Sequence, residues 1–499
     1  MSRDERSNVS DDTSRRRSGA ARSEPPGPEG VLAAGLDLGS TGIKMLVVDA
    51  RGTEVASGQV PTPWRAGRDG ATEIDAPALL TAVRSLIDAI DRELARTTAE
   101  SIGALAIAGM GETGMLVDRA GEAAAPGIAW FDPRGAEQAR AFPEAVRREF
   151  AGRTGLPLGA QVTVAKLAWM RDEGLGLRGL RWLDLPEFVA ASLGGDIALE
   201  YSLASRTGLL DQDTGEAWPL MLEVLGVERS FLPELRGGGT AWGRIDGTWG
   251  SRTSGALLTV AGHDHLVAAA ASGTLGTGGY HVSFGTAEVL LRVLDAPLGF
   301  AARQRLADAL INEVRHIEPG RHVLVAGAKT GLLLRRVLQS AGITDRAARD
   351  ALDAEVMSLP FEGSLPPGAI EVAGARNDDG VLRLALHTDG ATPAEIFGAV
   401  LRHSNDEIAL LVQAMDREVA PATSATLTGG WAGMAAVRRA RSRVLPSVRV
   451  SERAEETAYG AARIAHALLA TDQRPAASAV RPDRASPRRQ PLASTGETS

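Results

Sequence analysis

Residues 31–48 read VLAAGLDLGSTGIKMLVV, and this stretch decides the fold of the N-terminal half. An apolar run leads to Asp37, the chain turns through residues 39–42, and a second apolar run follows at once. Two apolar runs joined by a short glycine-containing turn predict a β-hairpin. A third strand is predicted at residues 54–62, so the chain is expected to open with a three-stranded meander.

The segments that follow the meander give the order β-β-β-α-β. Asp75 precedes a stretch in which apolar residues recur at helical spacing, and residues 102–109 form an apolar strand of the buried type. This order differs from the strict βαβ alternation of a dinucleotide-binding fold. The chain is therefore predicted to be an α/β protein of a different kind.

A similar layout begins again in the second half of the chain. Residues 257–261 are apolar and predict a strand, an alanine-rich helix follows, and residues 278–294 give two strand-like runs joined at Gly285 and Thr286. The second hairpin thus has a Gly-Thr turn where the first has a Gly-Ser-Thr turn. This weak repeat indicates two related halves.

The repeat predicts two domains, residues 31–258 and residues 259–470, with the cleft between them as the expected ligand site. Residues 1–30 and 471–499 are polar, rich in Ser, Arg and Pro, and lack an apolar face. Such segments bury too little apolar surface to offset the entropy of ordering, so both are predicted to be disordered tails.

Composition excludes several classes of protein. Of the 499 residues, 44% are hydrophobic, which is enough to fill large cores and rules out wholesale disorder. The net charge of −8 argues against a general nucleic-acid binder. The chain has no cysteine, which excludes thiol chemistry and fits a reducing cytoplasm. No apolar run approaches the length needed to cross a membrane.

The first turn is a candidate phosphate site. A tight turn through Gly39, Ser40 and Thr41 exposes backbone N–H groups that suit an anion, and Lys44 adds a positive charge. Asp37 would repel phosphate unless a divalent cation lay between them, so Mg²⁺ is expected here, held by Asp37 partly through water. The alternative is an ordinary hairpin turn with an incidental acid.

The second candidate site is the sequence Gly-His-Asp-His at residues 262–265, where an apolar strand ends and a helix begins. Asp264 would face the cleft and accept a proton from a substrate hydroxyl. His263 and His265 have a spacing found in metal sites, which would suit a metal-dependent hydrolase. A structural role, in which polar residues end the strand and cap the helix, is the third interpretation.

Two further segments have the composition of ligand-binding sites. Trp130, Asp132 and Arg134 alternate along an extended segment and, with Glu112, suit a polyhydroxylated ligand, although a core tryptophan beside a surface ion pair gives the same pattern. Gly429 and Gly430 would let a nucleoside lie against the backbone; the alternative is a tight strand-to-helix turn.

Together and in this order, these motifs resemble those of the FGGY carbohydrate kinases, which belong to the actin-like, ribonuclease H-like superfamily. The resemblance covers roughly residues 31–470. It rests on two phosphate motifs (residues 35–44 and 283–286), a W-x-D-x-R substrate segment (128–134) and the segment of the catalytic aspartate (262–265). A glycine-rich stretch before a helix (327–330) and an adenosine region (428–430) with its closing helix (456–462) complete the pattern.

The resemblance implies two actin-like domains with a central cleft, and an ATP- and Mg²⁺-dependent kinase acting on a hydroxyl of a small sugar or polyol. Asp264 would be the catalytic base and would also contact the substrate. The implied substrate contacts are Glu112, Trp130, Asp132 and Arg134. The implied nucleotide and phosphate contacts are Asp37, Gly39, Ser40, Thr41, Lys44, Gly285, Thr286, Gly429 and Gly430.

The substrate class follows from one departure from the family pattern. Residues 111–113 read Gly-Glu-Thr where glycerol kinases have an R-E-T segment, so a pentulose, hexulose or tetritol is expected rather than glycerol. A homodimer is common in families of this type, and neither a membrane nor a nucleic-acid partner is expected. The alternatives are a metal-dependent hydrolase using His263 and His265, and a non-catalytic actin-like nucleotide switch.

Overall fold

The computed structural model describes residues 30–273, 276–374, 383–451 and 456–472 of the chain. The tails predicted at residues 1–30 and 471–499 lie outside the described residues, except for residue 30 and the end of the last helix.

The strands of the described residues, in chain order, are β1 Val31–Leu38, β2 Gly42–Val48, β3 Glu54–Pro61, β4 Trp64–Ala66, β5 Thr72–Ile74, β6 Ser101–Gly109, β7 Gly114–Val117, β8 Gly127–Ile128, β9 Arg181–Asp184, β10 Ala198–Glu200, β11 Glu234–Arg236, β12 Gly243–Arg244, β13 Leu257–His263, β14 Gly279–Phe284, β15 Glu288–Leu294, β16 Ile311–Arg315, β17 His322–Ala328, β18 Ile370–Ala373, β19 Arg383–Leu386, β20 Ser424–Thr428 and β21 Val448–Val450.

The α-helices of the same residues are α1 Ala76–Thr97, α2 Ala136–Ala141, α3 Glu144–Thr154, α4 Thr163–Asp172, α5 Leu185–Ser192, α6 Tyr201–Ala204, α7 Pro219–Leu225, α8 Asp264–Ala271, α9 Phe300–Asp308, α10 Thr330–Ser340, α11 Arg346–Ser358, α12 Pro393–Asp416, α13 Ala435–Arg441 and α14 Glu456–Asp472.

The first large sheet has the strand order β12-β13-β6-β1-β2-β3. The predicted meander is present, since β1, β2 and β3 pair antiparallel. On the other side of β1, strands β6 and β13 run parallel to it. Helix α1 packs on β2 and β3, and α14 packs on β1 and β6. β1 is buried along most of its length, which explains its nearly continuous apolar sequence.

The second large sheet repeats this arrangement with the order β16-β17-β15-β14-β20-β21. Its central strand β14 pairs antiparallel with β15 and parallel with β20, as β1 pairs with β2 and β6. The weak repeat in the sequence therefore corresponds to two sheets of the same plan. Both carry a hairpin turn where the central strand ends.

The predicted domain boundary at residue 258 cuts through β13. This strand pairs with β6 of the first sheet over Leu257–His263, so the strand and the residues at its end belong to the first sheet. Helix α14 likewise packs on the first sheet and on α8, although it is the last helix of the chain. The predicted boundary at residue 258 therefore falls inside a strand of the first sheet, and α14 packs on that sheet as well.

Most of the apolar core forms one continuous cluster around the first sheet, and it also includes one face of the second sheet through Val289, Leu291, Val323 and Val325. A second cluster includes residues of β14, β15, β17 and β20 of the second sheet together with residues of α12. A third cluster lies mainly among α10, α11, α12 and α13. Within residues 30–273, 276–374, 383–451 and 456–472, none of the helices combines the length and apolarity that crossing a bilayer requires.

Candidate active site

The carboxyl ends of three parallel strands of the first sheet form one edge. The register aligns Leu38 of β1 with Gly109 of β6, and Gly109 with His263 of β13. Neighbouring strands lie roughly 5 Å apart, so β1 and β13 are separated by about 10 Å across β6. This edge brings the Asp37 turn, the Glu112 segment that follows β6 and Asp264 close together.

The turn between β1 and β2 is fixed through its carbonyl groups. The N–H of Gly39 donates to the carbonyl of Gly42 at 3.2 Å. The Gly39 carbonyl accepts from Thr62 Oγ1 at 2.6 Å, and the Ser40 carbonyl accepts from Trp64 Nε1 at 2.7 Å. These bonds do not use the N–H groups of Ser40 and Thr41. Both residues are exposed, as a phosphate-binding turn requires.

Asp37 lies at the end of β1 and is only 8% exposed. Lys44 is its partner in the register of the β1–β2 hairpin, and side chains that are directly opposed across two strands share one face of the sheet. The predicted acid and base of the phosphate turn are therefore neighbours. A Cβ built on Gly39 would lie 3.8 and 3.9 Å from the two carboxylate oxygens of Asp37, so glycine keeps the space beside the acid open.

This single carboxylate fits Mg²⁺ better than a transition metal. Mg²⁺ keeps several waters and is commonly bound through one or two carboxylates and the phosphates of a substrate. Zinc needs three or four protein ligands. Within the part of the chain that the structure describes, no group of three or more His, Asp or Glu side chains could hold a metal ion. The metal interpretation of His263 and His265 therefore lacks its third ligand.

Asp264 is the first residue of α8 and follows β13 directly. Its Oδ1 accepts a hydrogen bond from the N–H of His265 at 2.6 Å and lies 3.3 Å from His263 Nδ1. Burial acts to raise the pKa of Asp264, but His265, His263, the His265 N–H and Arg206 together lower that pKa by more. The carboxylate is therefore ionised at neutral pH, as a proton acceptor must be.

His263 stays neutral beside this carboxylate. Burial is the largest effect and lowers the pKa of His263 well below its usual value, although Asp264 acts in the opposite direction. The backbone N–H of His263 donates to Ser202 Oγ at 3.0 Å, and this bond ties the end of β13 to α6. His263 is therefore a neutral, buried neighbour of the Asp264 carboxylate.

Glu112, a predicted substrate contact, forms an ion pair that sequence reasoning missed. Arg206 Nη2 lies 2.6 Å from Glu112 Oε1, and both side chains are nearly buried. Glu112 has a φ of 60°, in the left-handed region that is unusual for a residue other than glycine. Nothing in the local sequence around Arg206 indicates this pairing, because the two residues meet only in the folded chain.

The side chains of Asp132 and Arg134, both predicted to bind substrate hydroxyls, are engaged within the protein. The Asp132 side chain is fully buried and accepts from the Thr72 N–H at 2.7 Å and from Arg134 Nη2 at 2.6 Å. Arg134 also donates to Glu73 at 2.7 Å, and its guanidinium lies 4.6 Å from the centre of the Trp169 ring. Asp132 and Arg134 are therefore held by partners within the protein, and these contacts fix the position of the segment.

The aromatic residues of the same segment are more accessible. Trp130 is partly buried, and its backbone N–H donates to Thr113 Oγ1 at 2.8 Å. This bond ties the segment to the residue after Glu112. Phe131 is 44% exposed and contacts both Trp130 and Trp64 edge to face, with ring centres 5.4 and 5.7 Å apart. Trp130 and Phe131 therefore form an aromatic cluster that is partly exposed.

The second sheet gathers the remaining motifs. Ser283 and Thr428 are register partners in the parallel pair β14–β20, so the turns at residues 285–286 and 429–430 lie side by side. A Cβ built on Gly331, at the start of α10, would lie 1.9 Å from the Gly285 carbonyl oxygen and 2.8 Å from that of Thr286. Gly331 therefore lets α10 touch the second phosphate turn, a contact that the sequence did not reveal.

Three acids are buried behind Asp264. Asp184 and Glu187 form the capping box of α5, and Glu187 accepts the N–H of Glu200 at 2.6 Å. Glu200 accepts from the hydroxyl and N–H of Ser202, which is also the residue that holds the end of β13. Burial raises the pKa of all three, and that of Glu200 to about 7.

Glu200→Gln is expected to change how stability depends on pH. The folded protein keeps the Glu200 proton up to about pH 7, whereas the unfolded chain loses it near its ordinary pKa of 4.5. Stability from this group is therefore present at low pH and declines as pH rises from about 4.5 to about 7, by on the order of 3 kcal/mol at most. Urea unfolding at pH 5 and pH 8 measures the effect.

The free energy of unfolding of Glu200→Gln minus that of wild type should be larger at pH 8 than at pH 5. Glu228→Gln, an exposed acid at the start of a short 3-10 turn, is the matched control and should not alter the pH dependence. Equal pH dependence in Glu200→Gln and wild type would contradict the raised pKa.

Comparison with known protein families gives one matching description. Residues 32–270 match the model described as "FGGY family of carbohydrate kinases, N-terminal domain". A xylulose kinase of Streptomyces coelicolor is 28% identical over 397 residues, which is 73% of this chain and 81% of that protein. A glycerol kinase of Thermococcus gammatolerans is 27% identical over 269 residues, which is 51% of this chain. The alignment spans about half, 52%, of that glycerol kinase.

Solved structures share the fold at lower identity. A xylulose kinase from Lactobacillus acidophilus matches with a TM-score of 0.76 at 17% identity, over 89% of this chain and 90% of its own. A "xyloylose kinase" from Brucella ovis matches with a TM-score of 0.75 at 22% identity, over 88% of this chain and 91% of its own. The predicted α/β fold of two actin-like domains is thus confirmed.

Proposed function

Because residues 32–270 match the N-terminal domain of the FGGY family of carbohydrate kinases, we propose that the chain is a member of this family and transfers the γ-phosphoryl group of ATP to a hydroxyl of a small sugar or polyol. The observation that carries this proposal is the edge of the first sheet, where an ionised, partly accessible Asp264 lies about two strand spacings from the Asp37 turn. A proton acceptor and a phosphate-binding turn at this separation suit phosphoryl transfer.

In the proposed reaction the substrate oxygen attacks the γ-phosphorus of ATP. The bond between that phosphorus and the oxygen bridging to the β-phosphate breaks, and ADP leaves. The hydroxyl proton passes to Asp264, which its lowered pKa keeps in the ionised form at neutral pH. The N–H groups of Ser40, Thr41 and Thr286 would hold the phosphates, with Gly285 letting them approach the second turn. Gly429 and Gly430 would contact the nucleoside.

We propose that Asp37 would hold Mg²⁺ through water, with Lys44 beside it. When bound, the ion would supply positive charge that offsets the charge of the transferring phosphoryl group. This role fits the single buried carboxylate and the open space beside Gly39.

For the substrate we propose a pentulose, hexulose or tetritol in preference to glycerol. Trp130 would pack on the C–H face of the ligand, and Glu112 would bind a hydroxyl. Gly111 in place of an arginine supports a substrate other than glycerol, and the Streptomyces coelicolor relative is named a xylulose kinase. Asp132 and Arg134 would act indirectly by holding the segment of Trp130.

ATP use and the absence of cysteine fit a protein of the cytoplasm, and we propose that location. A homodimer is the proposed assembly, by analogy with families of this type. The hydrolase alternative is not supported, since His263 and His265 have no third metal ligand within the described residues. The remaining alternative is a switch that binds the nucleotide and phosphorylates no acceptor, and the experiment below distinguishes it from a kinase.

A panel of pentuloses, hexuloses, tetritols and glycerol, assayed for ADP release with Mg²⁺, tests the proposal. We expect one member of the first three classes to raise ADP release well above the rate without acceptor, and to do so more effectively than glycerol. ADP release that no acceptor stimulates would favour the switch. A preference for glycerol would overturn the proposed substrate class.

A further inference from the structure

Arg206 has hydrogen-bonding capacity that the described residues do not use. It follows α6 and is 8% exposed. Its Nη2 pairs with Glu112, while its Nε and Nη1 have no hydrogen-bond partner among the described residues. A guanidinium group is donor-only, and leaving its buried N–H groups unsatisfied is costly. The fold keeps these donors beside Glu112 and Asp264, the two acids of the candidate site.

The position of Arg206 links it to the proposed acceptor site. A Cβ built on Gly111 would lie 2.9 Å from Arg206 Cδ, 3.2 Å from its Nε and 3.2 Å from His263 Cδ2. Arg206 therefore crosses over Gly111, close to the residue that precedes Asp264. The charge of Arg206 also contributes to lowering the pKa of Asp264. Any side chain at position 111 would displace the arginine.

Glu112 supports a functional role for the pair rather than a purely structural one. Its φ of 60° is a strained backbone conformation for glutamate. Strain of this kind persists where the surrounding structure holds it, and it is concentrated at ligand sites. The strained glutamate and the partly unsatisfied arginine face each other at 2.6 Å, and together they would present both an acceptor and a donor to a ligand.

We propose that Arg206 binds the carbonyl oxygen of a neutral keto-sugar, and so selects ketoses over the corresponding alditols. This inference rests on the proposed function, because it assigns a partner to one oxygen of the acceptor molecule. A carbonyl oxygen only accepts hydrogen bonds and therefore matches a group that only donates them.

The charges of the site favour a neutral substrate over a sugar acid. Asp264 and Glu112 contribute two negative charges, and Arg206 contributes one positive charge. A carboxylate substrate would add a further negative charge close to Asp264, and like charges at short range in a partly buried site repel strongly. A ketose carbonyl adds none.

The test compares a ketopentose with the alditol made by reducing its carbonyl, in wild type and in Arg206→Gln. A hydrogen bond from a charged donor is worth roughly tenfold to a hundredfold in kcat/KM. Wild type should prefer the ketose by about that factor. The variant should lose this preference, through a higher KM for the ketose, while its Kd for ATP stays within about threefold.

A second variant guards against misfolding. Glu112→Gln combined with Arg206→Met removes both charges together, so neither is left buried without its partner. Circular dichroism and thermal melting establish that each variant is folded. The double variant should also lose the preference for the ketose, with a KM change larger than any change in kcat.

Three outcomes would overturn the inference, and they are distinguishable. If wild type phosphorylates sugars but Arg206→Gln keeps the same preference, Arg206 does not bind the carbonyl, while the proposed kinase function stands. If the variant raises the KM for ATP and not for the ketose, Arg206 binds phosphate. If wild type phosphorylates no acceptor in the panel, the proposed function fails and this inference fails with it.

Discussion

Replacing Asp264 with asparagine is expected to lower kcat for phosphorylation of the acceptor by roughly a hundredfold or more. General-base catalysis typically contributes a factor of that size. Asparagine keeps the shape and an oxygen that can accept the His265 N–H, but it cannot take a proton from the substrate. Steady-state kinetics with the best acceptor of the panel measures kcat, and the KM for ATP should change by no more than a few fold.

Asp345→Asn provides the matched control. Asp345 caps α11 by accepting the Ala348 N–H at 2.9 Å, and asparagine caps helices about as well as aspartate. This variant makes the same chemical change away from the candidate site, and its kcat should equal that of wild type. An Asp264→Asn enzyme with full turnover would show that another group accepts the proton.

Gly331→Ala is expected to weaken ATP binding by roughly tenfold to a hundredfold. The added Cβ would lie 1.9 Å from the Gly285 carbonyl oxygen and 2.9 Å from Trp431 Nε1, so α10 and the second phosphate turn must move apart. Overpacking of this kind costs about 1–3 kcal/mol. Binding of a fluorescent ATP analogue measures the Kd, and thermal melting reports the accompanying loss of stability.

Gly433→Ala is the control for the second prediction. Gly433 follows Trp431 and the turn at residues 429–430, and a Cβ there would meet nothing within 4 Å. Its Kd for ATP and its melting temperature should match those of wild type. If Gly331→Ala lost stability but bound ATP with wild-type affinity, the turn at residues 285–286 would not be part of the nucleotide site.

The sequence predicted those features that depend on local pattern. The β1–β2 hairpin followed from two apolar runs around a glycine turn, and its register then determined that Asp37 and Lys44 are neighbours. Asp264 was predicted at the junction of a strand and a helix, and the structure has it there, as the first residue of α8. Periodicity and turn residues carry this information without reference to the rest of the chain.

Features that depend on distant contacts could not be predicted. The pairing of Arg206 with Glu112 joins the segment after α6 to the segment after β6, and no residue spacing in the sequence predicts this pairing. The hydrogen bond from the Thr72 N–H to Asp132 could not be predicted either, because every residue except proline has a backbone N–H and the sequence does not show which one Asp132 accepts. The sequence likewise does not show that β13 belongs to the first sheet, because sheet membership is set by the neighbouring strand β6.

The transfer of phosphate from ATP to an alcohol oxygen can be followed directly by ³¹P NMR. The wild-type protein is incubated with ATP, Mg²⁺ and the best acceptor of the panel. We expect a phosphomonoester resonance that grows in step with ADP, and this resonance should be nearly absent with Asp264→Asn. Formation of ADP and inorganic phosphate alone, or an ester signal that persists undiminished without the Asp264 carboxylate, would contradict the account.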